Sequence, residues 1–243
     1  MEVKALKPLP NRWSRILGRW EVPNRCDSSV CEPPRLPQSL DDQLRLQTLD
    51  IAMSITDESR AIIEDRLGEL RRSRVTDLAI QVADRAPRFS LDDAVEPLHL
   101  GTLLERGPIV LSFFLGGWSP YCALAMRAMQ AWLPQFERFG AQIVAISPDP
   151  MPDELLDYRI VVDPENKVAR KFGVVVRLAG EIVDVYRQLG FNVPPAKGRD
   201  DRLVPLPATF VIDRQRTIRY AFVNPDFRRR AEPADIAAAL ATI

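Results

Sequence analysis

Nowhere in the chain does an apolar run approach the roughly 18 residues of a membrane span. The first residues also lack the apolar core and small-residue cleavage site of a secretory signal, so a cytoplasmic protein is expected. Histidine is nearly absent: one residue, His99, in 243. A histidine-built metal centre is thereby excluded, and His99 itself, between a short strand and a helical turn, is expected on the surface rather than as a base. Cysteine is scarce too, with three residues, an odd number that rules out a paired disulfide framework and fits a reducing compartment with one working thiol. Neither sign of charge is in excess, 33 basic side chains standing against 33 acidic ones, so no global field recruits nucleic acid or an anionic membrane.

Proline, by contrast, is plentiful, and six of the 21 fall before residue 40, at Pro8, Pro10, Pro23, Pro33, Pro34 and Pro37. That density opposes regular structure and predicts an extended arm over residues 1–40. Within it Trp13, Ile16, Leu17 and Trp20 recur at helical spacing among Arg12, Arg15 and Arg19. Such a short basic amphipathic stretch either docks on a membrane surface or partner, or folds back on its own domain or a twin subunit. Cys26 and Cys31 lie in the same arm without further cysteine or histidine nearby, so no metal site is expected there. Residues 41–78 turn helical, with one stripe of Leu46, Leu49 and Met53 and another of Ile62, Ile63, Leu67 and Leu70, suited to packing on the core or across a homodimer interface. The domain proper is expected over 79–243.

The stretch the rest serves is Ile109 to Met129. An apolar run rich in β-branched and aromatic residues, a Gly116-Gly117 break and a long run at helical spacing read as buried strand, turn and helix. Cys122 then falls in the helix's first turn, where unpaired N–H groups and the positive end of the macrodipole favour thiolate over thiol, the reactive form. Ala141–Ile146 reads as a second buried parallel strand. Asp163-Pro164-Glu165 has the cap, proline and acid of a helix start. Residues 178–189 read as helix, 190–205 as a long loop framing an entrance or simply an insertion, and 206–223 as a β-hairpin. Arg228-Arg229-Arg230 reads as a solvated face.

Phe113-Phe114-Leu115-Gly116-Gly117-Trp118-Ser119-Pro120-Tyr121-Cys122 resembles the active-site segment of the peroxiredoxin-like (alkyl hydroperoxide reductase and thiol-specific antioxidant) branch of the thioredoxin-fold proteins. The resemblance runs over about residues 78 to 240 and includes Ala86-Pro87-Arg88-Phe89-Ser90-Leu91, with Ala83 standing where a glycine is usual. It implies an α/β thioredoxin-like fold, a central mixed sheet flanked by helices. Against the branch's Gly-Gly-Trp-Cys-Pro-Tyr-Cys pattern Ser119 replaces the first cysteine. Against the Pro-x-x-x-Thr/Ser-x-x-Cys pattern Ser119 is the hydroxyl residue, Cys122 the peroxidatic cysteine, and Leu115 stands for proline. Either way Cys122 is the only site thiol. Pro207 matches the proline that faces the thiol across a cis bond, and it occupies the place where peroxiredoxins carry an arginine.

The resemblance implies a thiol peroxidase in which Cys122 attacks a hydroperoxide, Ser119 adds a hydrogen bond, and Trp118, Pro120, Tyr121 and Pro207 line the substrate. No cofactor is implied. The reductant is then an external thiol such as thioredoxin, or Cys26 or Cys31 acting as a resolving cysteine. Two other readings stay open: a redox-impaired binding or regulatory protein, and a thiol–disulfide oxidoreductase, which Trp118 and Pro207 favour but which lacks its nucleophilic first cysteine.

Overall fold

The computed structural model describes residues 39–92, 96–150, 156–193 and 202–243. The elements are α1 (Leu40–Ser54), α2 (Asp57–Arg72), β1 (Ser90–Leu91), β2 (Leu98–His99), α3 (Leu100–Arg106), β3 (Ile109–Phe113), α4 (Pro120–Arg138), β4 (Gln142–Ser147), β5 (Arg159–Val162), α5 (Lys167–Lys171), β6 (Val175–Leu178), α6 (Gly180–Gln188), β7 (Arg202–Pro205), β8 (Ala208–Ile212), β9 (Ile218–Val223) and α7 (Pro233–Leu240). Five strands form one mixed sheet in the order β5-β4-β3-β8-β9. β3 is its middle strand, parallel to β4 and antiparallel to β8. All five of its residues are buried, as an unbroken apolar strand covered on both faces must be. The arrangement is the thioredoxin-like sandwich that the sequence implies, with both expected central strands in place.

Helices α1 and α2 begin on side-chain caps, the Ser39 hydroxyl accepting from the Asp42 N–H and the Thr56 hydroxyl from the Ser59 N–H. The buried face of α1 is Leu40, Leu44 and Ile51. The expected stripe is instead exposed, Leu46 by 54%, Leu49 by 59% and Met53 by 80%. The helix has apolar residues on two faces, and the face that meets α4 wins. In α2 the buried pair is Ile63 and Leu67, as expected.

Further corrections concern the C-terminal half. The helix expected over 178–189 starts only at Gly180, because Val175–Leu178 is a strand. Its partner is Arg202–Pro205, inside the expected loop; the pair closes antiparallel, with Val176 opposite Val204. The rest of that loop, residues 194–201, lies outside the described residues. Among the described residues no peptide bond is cis, so Leu206–Pro207 is trans. The link from β7 to β8 is extended: the Leu206 N–H donates to the Val174 carbonyl and Ala208 already pairs with Phe113, and trans is the lower-energy form for such a link. Ala83 has φ 76°, the left-handed backbone that glycine adopts more cheaply. Among the described residues no helix is long and apolar enough to cross a membrane.

Candidate active site

β3 delivers the chain to the site. Beyond its last residue the Phe114 N–H donates to the Ile146 carbonyl, extending the ladder, and the chain then turns at Gly116. Gly116 has φ 141°, and a Cβ there would lie 2.8 Å from the Trp118 indole nitrogen, so both conformation and contact require glycine. Ser119 is the N-cap of α4 and Pro120 occupies its first turn, a position that needs no N–H. Cys122 therefore sits in the first turn, as expected, with its N–H donating to the Ser119 carbonyl at 3.0 Å. Its side chain is fully buried and its thiol is free.

Among the described residues the sulfur has one charged hydrogen-bond partner. Arg230 Nη2 donates to Cys122 Sγ at 3.2 Å, from 108 positions further along the chain. The same guanidinium is aimed by backbone acceptors: Nη1 donates to the carbonyls of Phe227 (2.6 Å) and Arg229 (2.8 Å). Its Nε is buried without a partner, and no described carboxylate pairs with it. A partly buried cation without a carboxylate is costly, and the Cys122 sulfur is the acceptor placed on its Nη2. The expected solvated arginine face is thus overturned for Arg228 and Arg230, while Arg229 is exposed. Ser119 does not supply the expected hydrogen bond to sulfur: it makes no side-chain cap bond, and the contribution shown is its carbonyl, which accepts from Cys122 and Ala123.

Arg228, the other inward member of the run, is neutralised. It donates through Nε and Nη2 to Asp226 at 2.8 and 2.9 Å and through Nη1 to Glu64 of α2 at 2.5 Å. Arg71, also of α2, bonds Asp226 at 2.8 Å. The segment that presents Arg230 is therefore pinned by two side chains of α2, a helix in which the sequence suggested no chemistry. Arg229 pairs with Asp41 of α1 at 2.9 Å, and Glu232 accepts from the N–H groups of Leu40 and Asp41.

Burial alone would raise the Asp226 carboxyl, but hydrogen bonds and charge from Arg228, with Arg71 adding to them, hold it below its ordinary range. A carboxyl lowered in the folded state stabilises fully above its unfolded value of about 3.9, and that stability is lost as pH falls through the folded value. Asp226→Asn is accordingly expected to cost about 1–3 kcal/mol at neutral pH and to flatten the loss of stability on acidification below about pH 4. Urea unfolding of both proteins at neutral and acid pH measures it; parallel pH curves would refute the assignment.

The remaining expected site residues divide. Trp118 is buried, stacks edge-on with Tyr186 at 5.6 Å and leaves its indole N–H without a partner. Tyr121 turns away from open space: its hydroxyl lies 3.3 Å from Thr48 Oγ1, which itself donates to the Leu44 carbonyl, and it also bonds Tyr186. Burial, above all, holds both phenols above their ordinary values, so both stay protonated. Pro207 precedes Ala208, the partner of Phe113, and so lies at the end of the sheet from which Cys122 follows. His99 is the exposed residue of β2, beside the buried Leu98, and lines a cleft beside the β8–β9 turn, away from the thiol. Cys26 and Cys31, with the basic amphipathic stretch, lie outside the described residues. No cluster suited to a metal occurs among the described residues.

The sequence profile of the AhpC/TSA family matches residues 82–221. A peroxiredoxin of Mycobacterium tuberculosis is 29% identical over 116 residues, 44% of this chain and 75% of that protein. A 1-Cys peroxiredoxin of Dictyostelium discoideum is 25% identical over 171 residues, 64% of this chain and 70% of that one. Among solved structures, a cysteine-to-serine variant of peroxiredoxin 6 from Arenicola marina superposes with a TM-score of 0.53 at 16% identity, covering 67% of this chain and 72% of its own. That last likeness bears on the fold alone.

Proposed function

Because this chain belongs to the AhpC/TSA family, the peroxiredoxin-like branch of the thioredoxin fold and a family of thiol peroxidases, we propose that it reduces hydroperoxides through Cys122 alone. The observation that carries this reading is the Arg230 guanidinium on the Cys122 sulfur at 3.2 Å, a cation with no described carboxylate to answer it. The thiolate attacks the terminal oxygen of the hydroperoxide. An S–O bond forms, the O–O bond breaks, and the leaving alkoxide takes a proton to become the alcohol. Cys122 is left as sulfenic acid, two electrons more oxidised. An external thiol then condenses with it, releasing water and giving a mixed disulfide, and a second thiol attacks that disulfide to restore Cys122. Thioredoxin or a low-molecular thiol fills this role. Arg230 supports the thiolate and, in the transition state, the charge shared between sulfur and the departing oxygen. Trp118, with its free indole N–H, is the side chain we assign to the substrate side. On this reading residues 79–243 are the catalytic domain and 41–78 a helical extension packed on it, while most of the stretch 1–40 lies outside the described residues.

A fully buried thiol adds a restriction, since the oxidant must enter through a transient local opening. Hydrogen peroxide is expected to oxidise Cys122 faster than a bulky aryl hydroperoxide, by about tenfold or more. The test is mass spectrometry of the reduced protein after one equivalent of each peroxide, with sulfenic acid trapped and free thiols blocked. A sulfenic acid on Cys122 is the expected product. A disulfide from Cys122 to Cys26 or Cys31 would replace the single-cysteine cycle with an arm-resolved one. An unmodified Cys122 after prolonged exposure would remove the peroxidase reading and favour a redox-silent binding protein.

A further inference from the structure

A cleft of about 960 Å³ opens beside the β8–β9 turn, among residues of β1, α3 and α5. Ile109, the first residue of β3, pairs with Ile212, the last of β8, so this turn lies at the opposite end of the sheet from Cys122. Five strand residues, about 16 Å of chain, separate the two ends. The cleft is not part of the thiol site.

Its walls carry Arg85, Arg88, Lys171, Arg214 and Arg216, against one carboxylate, Glu105. In a chain with equal numbers of each sign, that concentration is local and not a by-product of composition. None of the five pairs with a carboxylate among the described residues. Those that are bonded rest on backbone carbonyls: Arg85 on Gln215 at 3.4 Å, Lys171 on Arg88 at 3.1 Å, and Arg214 on Glu105 and Arg106 at 3.2 and 3.4 Å. These bonds hold the cations in place and leave their charge unanswered. Arg216 is the most confined. Its Nε is buried without a partner, and its backbone has φ 69°, where glycine or asparagine is the cheaper residue. Its guanidinium is pushed below its ordinary value by desolvation first, and then by the charges of Arg85 and Arg88. The floor is apolar, made by the buried side chains of Phe89 and Leu104.

From this arrangement we propose that the cleft is a binding site for a small polyphosphate-bearing anion. Four of the five cations are arginines, whose planar forks match phosphate oxygens two at a time, and an anion of several charges offsets their mutual repulsion. The volume is that of a small-molecule site, and the charge is gathered round one cleft instead of spread along a face as a nucleic-acid track requires. The apolar floor leaves room for an organic group on the phosphates. Occupancy at this end of the sheet leaves the route to Cys122 open.

Titration calorimetry of the reduced full chain with inorganic tripolyphosphate tests the site. One saturable event is expected at low salt, weakening as salt rises. Arg88→Gln combined with Arg214→Gln, both exposed positions, is expected to weaken it by about tenfold or more without changing the thermal midpoint. Cys122→Ser leaves it unchanged. No saturation at low salt, equal affinity in the double variant, or loss of binding in Cys122→Ser would each overturn the proposal. So would tighter binding of an oligothymidylate than of tripolyphosphate, which would point to an extended nucleic-acid surface.

Discussion

Cys122→Ser is expected to abolish catalysed peroxide consumption, leaving only the rate of the uncatalysed reaction with the reductant. A serine hydroxyl does not ionise near neutral pH, and no second thiol stands on α4. The variant is also expected to be less stable than the parent in its thiolate form. Arg230 would keep its backbone acceptors but lose the anion on Nη2, leaving a partly buried guanidinium facing a neutral oxygen, at a cost of about 1–3 kcal/mol. Two readouts therefore move together: peroxide loss by a coupled assay, and the urea midpoint. Retained turnover would show that a thiol outside the described residues carries the reaction. An unchanged midpoint with lost turnover would show that Cys122 is catalytic but not the counter-charge of Arg230.

Arg230→Met should slow oxidation of Cys122 by hydrogen peroxide by about 10²–10³-fold, the range for removing one preorganised donor from a developing charge. Methionine keeps much of the apolar stem and removes the cation and both backbone anchors. Arg230→Lys separates the two contributions. It restores a charge but lacks the fork that donates to sulfur and to the Phe227 and Arg229 carbonyls at once, so recovery is expected to be partial. Stopped-flow rates across peroxide concentrations decide it, with circular dichroism as the control for folding. A rate within twofold of the parent would demote the contact to packing.

How much of this was visible beforehand depends on how local the determinants are. Ile109–Phe113, the Gly-Gly break and the helix starting at Pro120 announce themselves, because each signal lies within a few residues of the structure it specifies. The surface place of His99 followed from the same local reasoning. Arg230 did not, since three adjacent arginines look alike in sequence and only tertiary partners tell them apart. Glu64, Arg71 and Asp226 fix one, Asp41 takes another, and the third is left to the sulfur. Arg228 and Arg230 could have been suspected from Asp226 and Phe227 just before them, an acid and an aromatic that suit an inward loop. The stripe on α1 was misassigned because Leu46, Leu49 and Met53 and the buried Leu40, Leu44 and Ile51 both have helical spacing, and periodicity cannot choose between two apolar faces. The β6–β7 pair was missed because four-residue strands carrying Arg177, Arg202 and Pro205 give almost no alternation.

The order in which the chain is made gives the Arg230 contact a further meaning. Synthesis runs from the N-terminus, and domains fold as their parts emerge. Cys122 leaves the ribosome 108 residues before the arginine that answers it, and β8, the neighbour of β3, also arrives late. The clamp on that arginine closes only when Glu64 and Arg71, made before Cys122, meet Asp226 and Arg228, made about a hundred residues after it. A nascent chain therefore carries a cysteine without its cation, and the thiol acquires its chemistry only once the segment holding Arg230 has been made and has folded onto α2.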